Sequence, residues 1–531
     1  LLLQHFWYTF FTLDPDVMTA WFNHNFDYPY MINRAKRVAY KKNPNYYFAN
    51  FDGCVNVIDM FQMMGKTYNV KIEGDEWGHH SLSGIIIADS MVLFEQQWQN
   101  SVESNSLDFV SHLVLDLGKK PFPKKGASRE EWIEYNLWDT ELMVMIDEKL
   151  QNTNYKFSLM KITTNTWDAI DFALGIVEGL SLYHWKKNNH VLRTSRDSRV
   201  FPPKFLTSLV GGFTQNSKVG GLYRMLVDYD GASMYPSIMN TFNIGPNTLR
   251  MTVTPEVAKQ LMMNKDLDPN QKVQVAWREM ESVRGLQYED SFMMITDVRK
   301  MIDDNKYIVT PSGAIFCSIE EEKSLFFDIL DDLGSRRKFN KDSMYDSGSL
   351  DISKYNKQLA LKISANAFFG VYLFAKFMFF NTSVGGAITM TGRFFIKCIM
   401  YLIEKHYGHV DLTLEQIAEV VDVLKVQDLD WFKMCFYADT DGTVITLQDI
   451  IPDEGSLDEQ LEKVEKELKI INPYIAQSVD QLYKFFNKGQ DFRLMKFKED
   501  WVADKGLYYN KHKCYAIHLV REGGKKKEEL L

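Results

Sequence analysis

Residues 437–442 read Tyr-Ala-Asp-Thr-Asp-Gly, between the largely apolar, strand-prone runs Phe432 to Phe436 and Thr443 to Leu447. Asp-Gly between two such runs signals a tight antiparallel hairpin. A hairpin at this point fixes two strands side by side and brings Asp439 and Asp441 to their common end, where a divalent cation finds hard oxygen donors. The same six residues also fit a plain acidic turn, or the Asp-x-Asp of sugar-nucleotide transferases, so the rest of the chain has to choose.

About 200 residues upstream stands Met225-Leu-Val-Asp-Tyr-Asp-Gly-Ala-Ser-Met-Tyr-Pro-Ser-Ile238. Leu222 to Tyr229 reads as a buried strand, Gly231 breaks it, and Pro236 favours a turn or the opening of a helix. Asp230 therefore sits at a strand end. Asp230 and Asp441 meeting across two strands would form a site able to hold magnesium together with substrate phosphates. A third block, Lys354 to Gly370, carries Gln358, Lys362 and Asn366 at intervals of four, which places them on one helical face. An ordinary amphipathic helix has the same spacing; the alternative is that Lys362 reaches a phosphate while Asn366 and Phe369 line a base and sugar.

In this order the three blocks resemble the family B DNA polymerases. Asp230-Gly-Ala-Ser-Met-Tyr-Pro-Ser is similar to motif A, Lys362-x-x-x-Asn366-x-x-Phe369-Gly370 to motif B, and Tyr437-Ala-Asp-Thr-Asp-Gly to motif C. Arg337-x-x-x-Lys341 is similar to the basic pair of the fingers, and His512-Lys-Cys-Tyr515 to the Lys-Lys-Arg-Tyr signature after motif C. Thr166-Trp-Asp-Ala-Ile170 looks most like the replicative polymerases of T-even phages. The resemblance implies an α/β (α+β) chain: a partial ribonuclease H-like 3'-5' exonuclease domain at 1–151, a helical connector at 152–200, a palm with an antiparallel sheet at 201–317 and 371–531, and helical-hairpin fingers at 318–370.

For activity, the resemblance implies template-directed addition of dNTPs to a primer 3'-hydroxyl. Two Mg2+ ions, replaceable by Mn2+, would be held by Asp230, Asp441 and Gly231, with Asp439 a ligand or an electrostatic neighbour. Arg337, Lys341 and Lys362 would grip the triphosphate, Lys362 also stabilising the transition state. Gly231, Ala232, Ser233, Met234, Asn366 and Phe369 would complete the nucleotide site, with Tyr235 beneath the sugar. Lys513, Tyr515, Gly211, Gly212 and Gly370 would contact primer-template DNA. Phe369, Gly442 and Cys514 depart from the family pattern, which prefers tyrosine, serine and a basic residue there. Glu499 matches an acidic position near the metals, and a surface glutamate is the plain alternative.

The front of the chain is similar to the proofreading exonuclease: Asn23-His-Asn-Phe-Asp27 to its second motif and Tyr135-x-x-x-Asp139 to its third, so Asp27 and Asp139 are expected to bind metal and Tyr135 to position water. The first motif, Asp-x-Glu, is not seen before Leu1, and a thumb is expected beyond Leu531; the chain reads as a fragment. A sliding clamp and other replisome proteins are the expected partners, through a C-terminus not present in this sequence.

With 531 residues and 45% hydrophobic content the chain can bury several cores. Lys+Arg of 61 against Asp+Glu of 70, net −9, argues against a basic nucleic-acid coat but leaves room for a local channel, with Lys496, Lys498, Lys505, Lys511 and Lys513 as candidates. Cys54, Cys317, Cys398, Cys435 and Cys514 show no Cys-x-x-Cys spacing, which fits a reducing compartment. No run reads as membrane-spanning, and the expected location is cytoplasmic, that of a bacterial host if the gene is a phage's. Two rival readings remain: a non-catalytic replisome module with a degenerate polymerase fold, and the protein-primed branch of the same family.

Overall fold

A computed structural model describes residues 2–31, 33–34, 72–74, 80–82, 85–98, 102–188, 211–216, 220–263, 267–278, 288–346, 348–406, 433–487, 496–509, 513–522 and 525–530. Cys54, Lys511 and His512 fall outside them. The chain forms two compact units, residues 1–171 with 337–361, and residues 172–336 with 362–531.

In the first unit, strand β1 (Val17–Ala20) pairs in parallel with β2 (Ile86–Asp89). Helices α1 (Leu2–Leu13), α2 (Ser90–Trp98), α3 (Leu107–Leu115), α4 (Arg129–Leu150) and α5 (Asn152–Thr163) accompany them. Phe94, Val110, Leu142 and Ile146 make a buried cluster between α2, α3 and α4. Ser128 caps α4, with Glu131 returning the bond to complete a capping box. Asn23 explains why an asparagine opens its motif. Fully buried, it donates to the carbonyl oxygens of Met18 (3.3 Å) and Ala88 (2.8 Å) and so ties β1 to β2.

The second unit begins with α6 (Ala173–Lys187) and is built on a seven-stranded antiparallel sheet. Its strands are β3 (Phe213–Gln215), β4 (Gly221–Gly231), β10 (Cys435–Thr440), β11 (Gly442–Thr446), β12 (Phe497–Tyr508), β13 (Tyr515–Glu522) and β14 (Lys525–Leu530). The order across it is β14-β13-β12-β4-β11-β10-β3, with β4 central. Helix α7 (Met234–Thr241) follows β4. A smaller five-stranded antiparallel sheet holds β5 (Leu249–Thr252), β6 (Lys272–Arg278), β7 (Tyr288–Met294), β8 (Ile308–Val309) and β9 (Ala314–Phe316), with α8 (Pro255–Met263) and α9 (Ile295–Asp304) packed on a core of Met251, Val275, Val298 and Ile315.

Two helices, α10 (Phe327–Ser343) and α11 (Ile352–Val371), occupy the stretch where the helical hairpin is expected. Ser318-x-x-Glu321 has the spacing of a helix capping box, and Ser318 Oγ does accept from the Glu321 N–H to close a turn, but α10 starts only at Phe327. Asn243 and Asn247 donate to the carbonyls of Glu322 and Lys323, and Arg250 pairs with Glu321 and Glu322. Those side chains satisfy backbone groups that a helix would otherwise claim, so the segment stays a turn.

Helix α12 (Thr382–His406) corrects the membrane reading. Its window Thr382–Glu404, with mean hydropathy 1.3, is long and apolar enough to span a bilayer, but 83% of it is buried. Phe395 packs against Phe242 of the α7 end and Tyr483 of α13 (Leu457–Asn487), so the apolar surface serves a protein core.

Candidate active site

Strand β4 carries Asp230 at its end, and its register with β11 sets Asp230 opposite Gly442. The Gly231 N–H donates to the Asp441 carbonyl oxygen at 2.8 Å, which locks the strand end to the hairpin. Asp439 pairs with Gly442, so Thr440 and Asp441 form the tip and Gly442 already belongs to the returning strand. The turn thus lies one residue earlier than the Asp-Gly signal reads. The reason is clearance: a Cβ at residue 442 would stand 3.1 Å from the Tyr229 carbonyl oxygen and 3.6 Å from one carboxylate oxygen each of Asp228 and Asp230. Glycine is spent on strand contact, and Thr440 takes the left-handed turn position at φ 57°.

Asp228 is the residue that sequence reasoning missed. It lies two positions before Asp230 and shares its face of the sheet. Burial, then the charges of Asp230, Asp500, Asp441 and Asp439, pushes its carboxyl well above the usual range. Asp441 is also pushed up, by loss of water and by Asp439, against which Lys362 and Lys513 pull it down. Lys513 reaches Asp439 at 3.5 Å. Oxygen-only donors carrying more negative charge than the two lysines offset are the chemistry a hard divalent cation matches, and Asp230, Asp441 and Asp439 have that donor type. Among the described residues, no group of three acidic, histidine or cysteine side chains is already drawn in to ligating distance.

Glu499 is placed differently from the expectation. It pairs in register with Tyr229, on the opposite face from Asp230, and forms an ion pair with Arg521 at 2.5 Å. Asp500 is the neighbour that acts on the carboxylate cluster.

A wall of aromatic and glycine surface lies beside the carboxylates. Tyr235 stacks on Phe369 of α11 with ring centroids 4.2 Å apart, and its hydroxyl is pushed up to about 12 by burial and by Asp441. A Cβ on Gly212 would meet the Tyr235 hydroxyl and the Thr440 methyl, both at 3.0 Å, so a larger residue there would press both side chains back by a few tenths of an ångström. Arg393 of α12 donates to the carbonyl oxygens of Gly211 (3.3 Å) and Gly212 (2.9 Å), and with Lys397 covers the Phe213 ring. No expectation included Arg393. Ala232 and Ser233 form the link from β4 to α7, whose Met234 is buried; Lys362, Asn366 and Gly370 are exposed on α11, and Tyr515 stacks on Tyr508 at 5.1 Å.

The other expected residues lie in the first unit. Arg337 and Lys341 stand on the part of α10 that groups there. Tyr135 and Asp139 share a face of α4 as expected and both meet Lys119, which pairs with Asp139 at 2.7 Å and lies over the Tyr135 ring. Asp27 closes the turn after β1, where burial and Asp89 raise its carboxyl. Asp89 itself caps α2 through the Met91 and Val92 N–H groups and accepts from His24 N–H.

Models of two families match the sequence: DNA polymerase family B over residues 217–454, and DNA polymerase family B, exonuclease domain, over residues 1–110. The chain belongs to DNA polymerase family B. The family B relatives include the DNA-directed DNA polymerases of Escherichia phage RB69, 27% identical over 45% of this chain and 25% of the relative, and of Enterobacteria phage T4, 22% identical over 79% and 47%. A DNA polymerase delta catalytic subunit from Caenorhabditis elegans is 22% identical over 96% of the chain and 41% of the relative. The chain spans about half the length, or less, of these curated relatives. Mixed helices and antiparallel sheets accord with the expected fold class.

Proposed function

We propose that this chain is a DNA-directed DNA polymerase core, adding dNTPs to a primer 3'-hydroxyl under the direction of a template strand. The observation that carries the reading is the bond from Gly231 to Asp441, which joins two carboxylate-bearing segments about 200 residues apart in sequence at one end of adjacent interior strands. Family membership supports it. Asp230 and Asp441, with the Gly231 backbone and Asp439, are the residues that would hold magnesium. When bound, that metal supplies charge neutralisation on phosphate oxygens and a lowered pKa for the attacking hydroxyl.

The chain's own groups do the rest. Lys362 offers a charge-assisted donor to a phosphate on the Asp441 side, with Arg337 and Lys341 as further triphosphate contacts. Ala232, Ser233, Met234 and Asn366 border the nucleotide, and the Tyr235–Phe369 stack sets the floor beneath its sugar. Lys513, Tyr515, Gly211, Gly212 and Gly370 hold primer and template. Proofreading by Asp27, Tyr135 and Asp139, and contact with a sliding clamp, belong to the same reading.

The test is extension of a labelled primer on a template with four dNTPs and magnesium, beside an Asp441→Ala control. Extension by the wild type that the control loses supports the reading. Primer-template binding without extension in either favours a non-catalytic module.

A further inference from the structure

Strand β12 enters the large sheet beside the carboxylate end of β4 and is fixed there twice. The Ala232 N–H donates to the Lys496 carbonyl oxygen at 3.0 Å, and Phe497 pairs in register with Gly231, its ring 3.2 Å from where a Cβ on that glycine would stand. The next register pair is Lys498 with Asp230. Residues directly opposite on adjacent antiparallel strands share a face, with Cβ atoms about 5 Å apart. Lys498 therefore starts beside Asp230, on the face that carries the carboxylates, from backbone held on both sides. It is exposed, and among the described residues its ammonium makes no ion pair or side-chain hydrogen bond. Glu499 next to it faces the other side of the sheet and is taken by Arg521. Lys513, by comparison, is already committed to Asp439.

Two cations thus stand on different sides of Asp230. Asp441 is tied to the end of β4 from the β11 side, and the charge of Lys362 acts on it; Lys498 rises from β12, the neighbour on the other side. In phosphoryl transfer the attacking and leaving oxygens lie roughly in line, on opposite sides of the phosphorus. With the triphosphate drawn to the Lys362 side, the strand that brings the attacking hydroxyl comes in from the β12 side. The phosphate nearest that hydroxyl is the one in the last internucleotide linkage. We propose that Lys498 binds this phosphate of the primer strand and so seats the 3'-hydroxyl at Asp230. The inference rests on the polymerase reading of the site. A lysine makes such a contact as a point charge on a flexible stem, and the contact positions the strand without reading its sequence.

The experiment measures binding of a fluorescent primer-template by anisotropy in EDTA, where neither extension nor cleavage proceeds. Wild type, Lys498→Ala, Lys498→Gln and Lys498→Arg are compared over a range of salt. Each meets an all-phosphate primer and primers with one neutral methylphosphonate, at the last linkage or several linkages upstream. Lys498→Ala and Lys498→Gln are expected to bind about three- to fivefold more weakly and to reduce the slope of log K against log salt by about 0.9, one phosphate contact. Lys498→Arg should keep most of the affinity. The neutral last linkage should weaken wild type about as much as Lys498→Ala does, and should weaken Lys498→Ala no further. Equal losses in both proteins overturn the proposal. So does a wild type that treats the last and the upstream linkage alike, a result that needs no variant to fold. Unchanged primer affinity with a raised dNTP KM in Lys498→Ala also overturns it, assigning the contact to the triphosphate. Binding without extension by the wild type would remove the polymerase reading while the anisotropy still decides Lys498, and a wild type that binds no primer-template overturns the contact outright.

Discussion

Replacing Gly442 by alanine tests the packing that brings the carboxylates together. The new Cβ would lie 3.1 Å from the Tyr229 carbonyl oxygen, a backbone atom of the central strand that cannot swing aside as a side chain would. Relief requires β4 and β11 to part by a few tenths of an ångström at the register pair Asp230–Gly442, and the 2.8 Å bond from Gly231 to Asp441 moves with them. Overpacking of this kind costs about 1–3 kcal/mol of stability. Catalysis is more sensitive. A displacement of 1 Å costs on the order of 100-fold in rate, so a few tenths predicts a fall in kcat of roughly three- to tenfold. Single-turnover incorporation, with primer-template affinity measured in parallel, should show the rate falling and the affinity held. A variant that incorporates nucleotide at the wild-type rate, with melting unchanged, would refute the argument that this contact sets the distance between Asp230 and Asp441.

Tyr235→Ala removes one ring of the 4.2 Å stack with Phe369 and should cut discrimination against ribonucleotides by tenfold or more, read as the ratio of kcat/KM for dNTP and rNTP; an unchanged ratio would mean that the sugar lies elsewhere. Asp228→Asn should raise the melting temperature at pH 8 by a few degrees. Because the folded-state carboxyl is raised, its ionised form opposes folding once the pH exceeds the folded value, and the penalty disappears as the pH falls back towards the ordinary carboxylate range. The gain from Asn should therefore shrink on acidification, and a gain that grows instead would contradict the assignment.

The large elements were legible because their signals are local. The strand Leu222 to Tyr229 was expected and β4 spans Gly221–Gly231; Ser128-x-x-Glu131 has capping-box spacing and caps α4. What local pattern could not supply is which partner each group meets. The Ser318 capping signal is overridden by Asn243, Asn247 and Arg250, residues 70 or more positions away, and the Asp-Gly signal by the clearance Gly442 needs against Tyr229. Asp228 was readable, since alternate residues of a strand share a face. Arg393 and Asp500 were not, because a lone charge in a sequence gives no direction. Glu499 shows the limit in one step: a neighbour of Asp500, it turns to the other side of the sheet and meets Arg521.

Strand β4 sits at the centre of a sheet whose adjacent members come from residues 442–446 and 497–508. A chain growing from its N-terminus makes β4 more than two hundred residues before either neighbour exists. For that interval both edges of an apolar strand have no lawful partner, and unpaired edges recruit other chains. Closing loops of that length also slows assembly. The carboxylate pair thus cannot form until residues 442–446 have left the ribosome, and a chain that has emerged only that far leaves β4 with one neighbour and its other edge open.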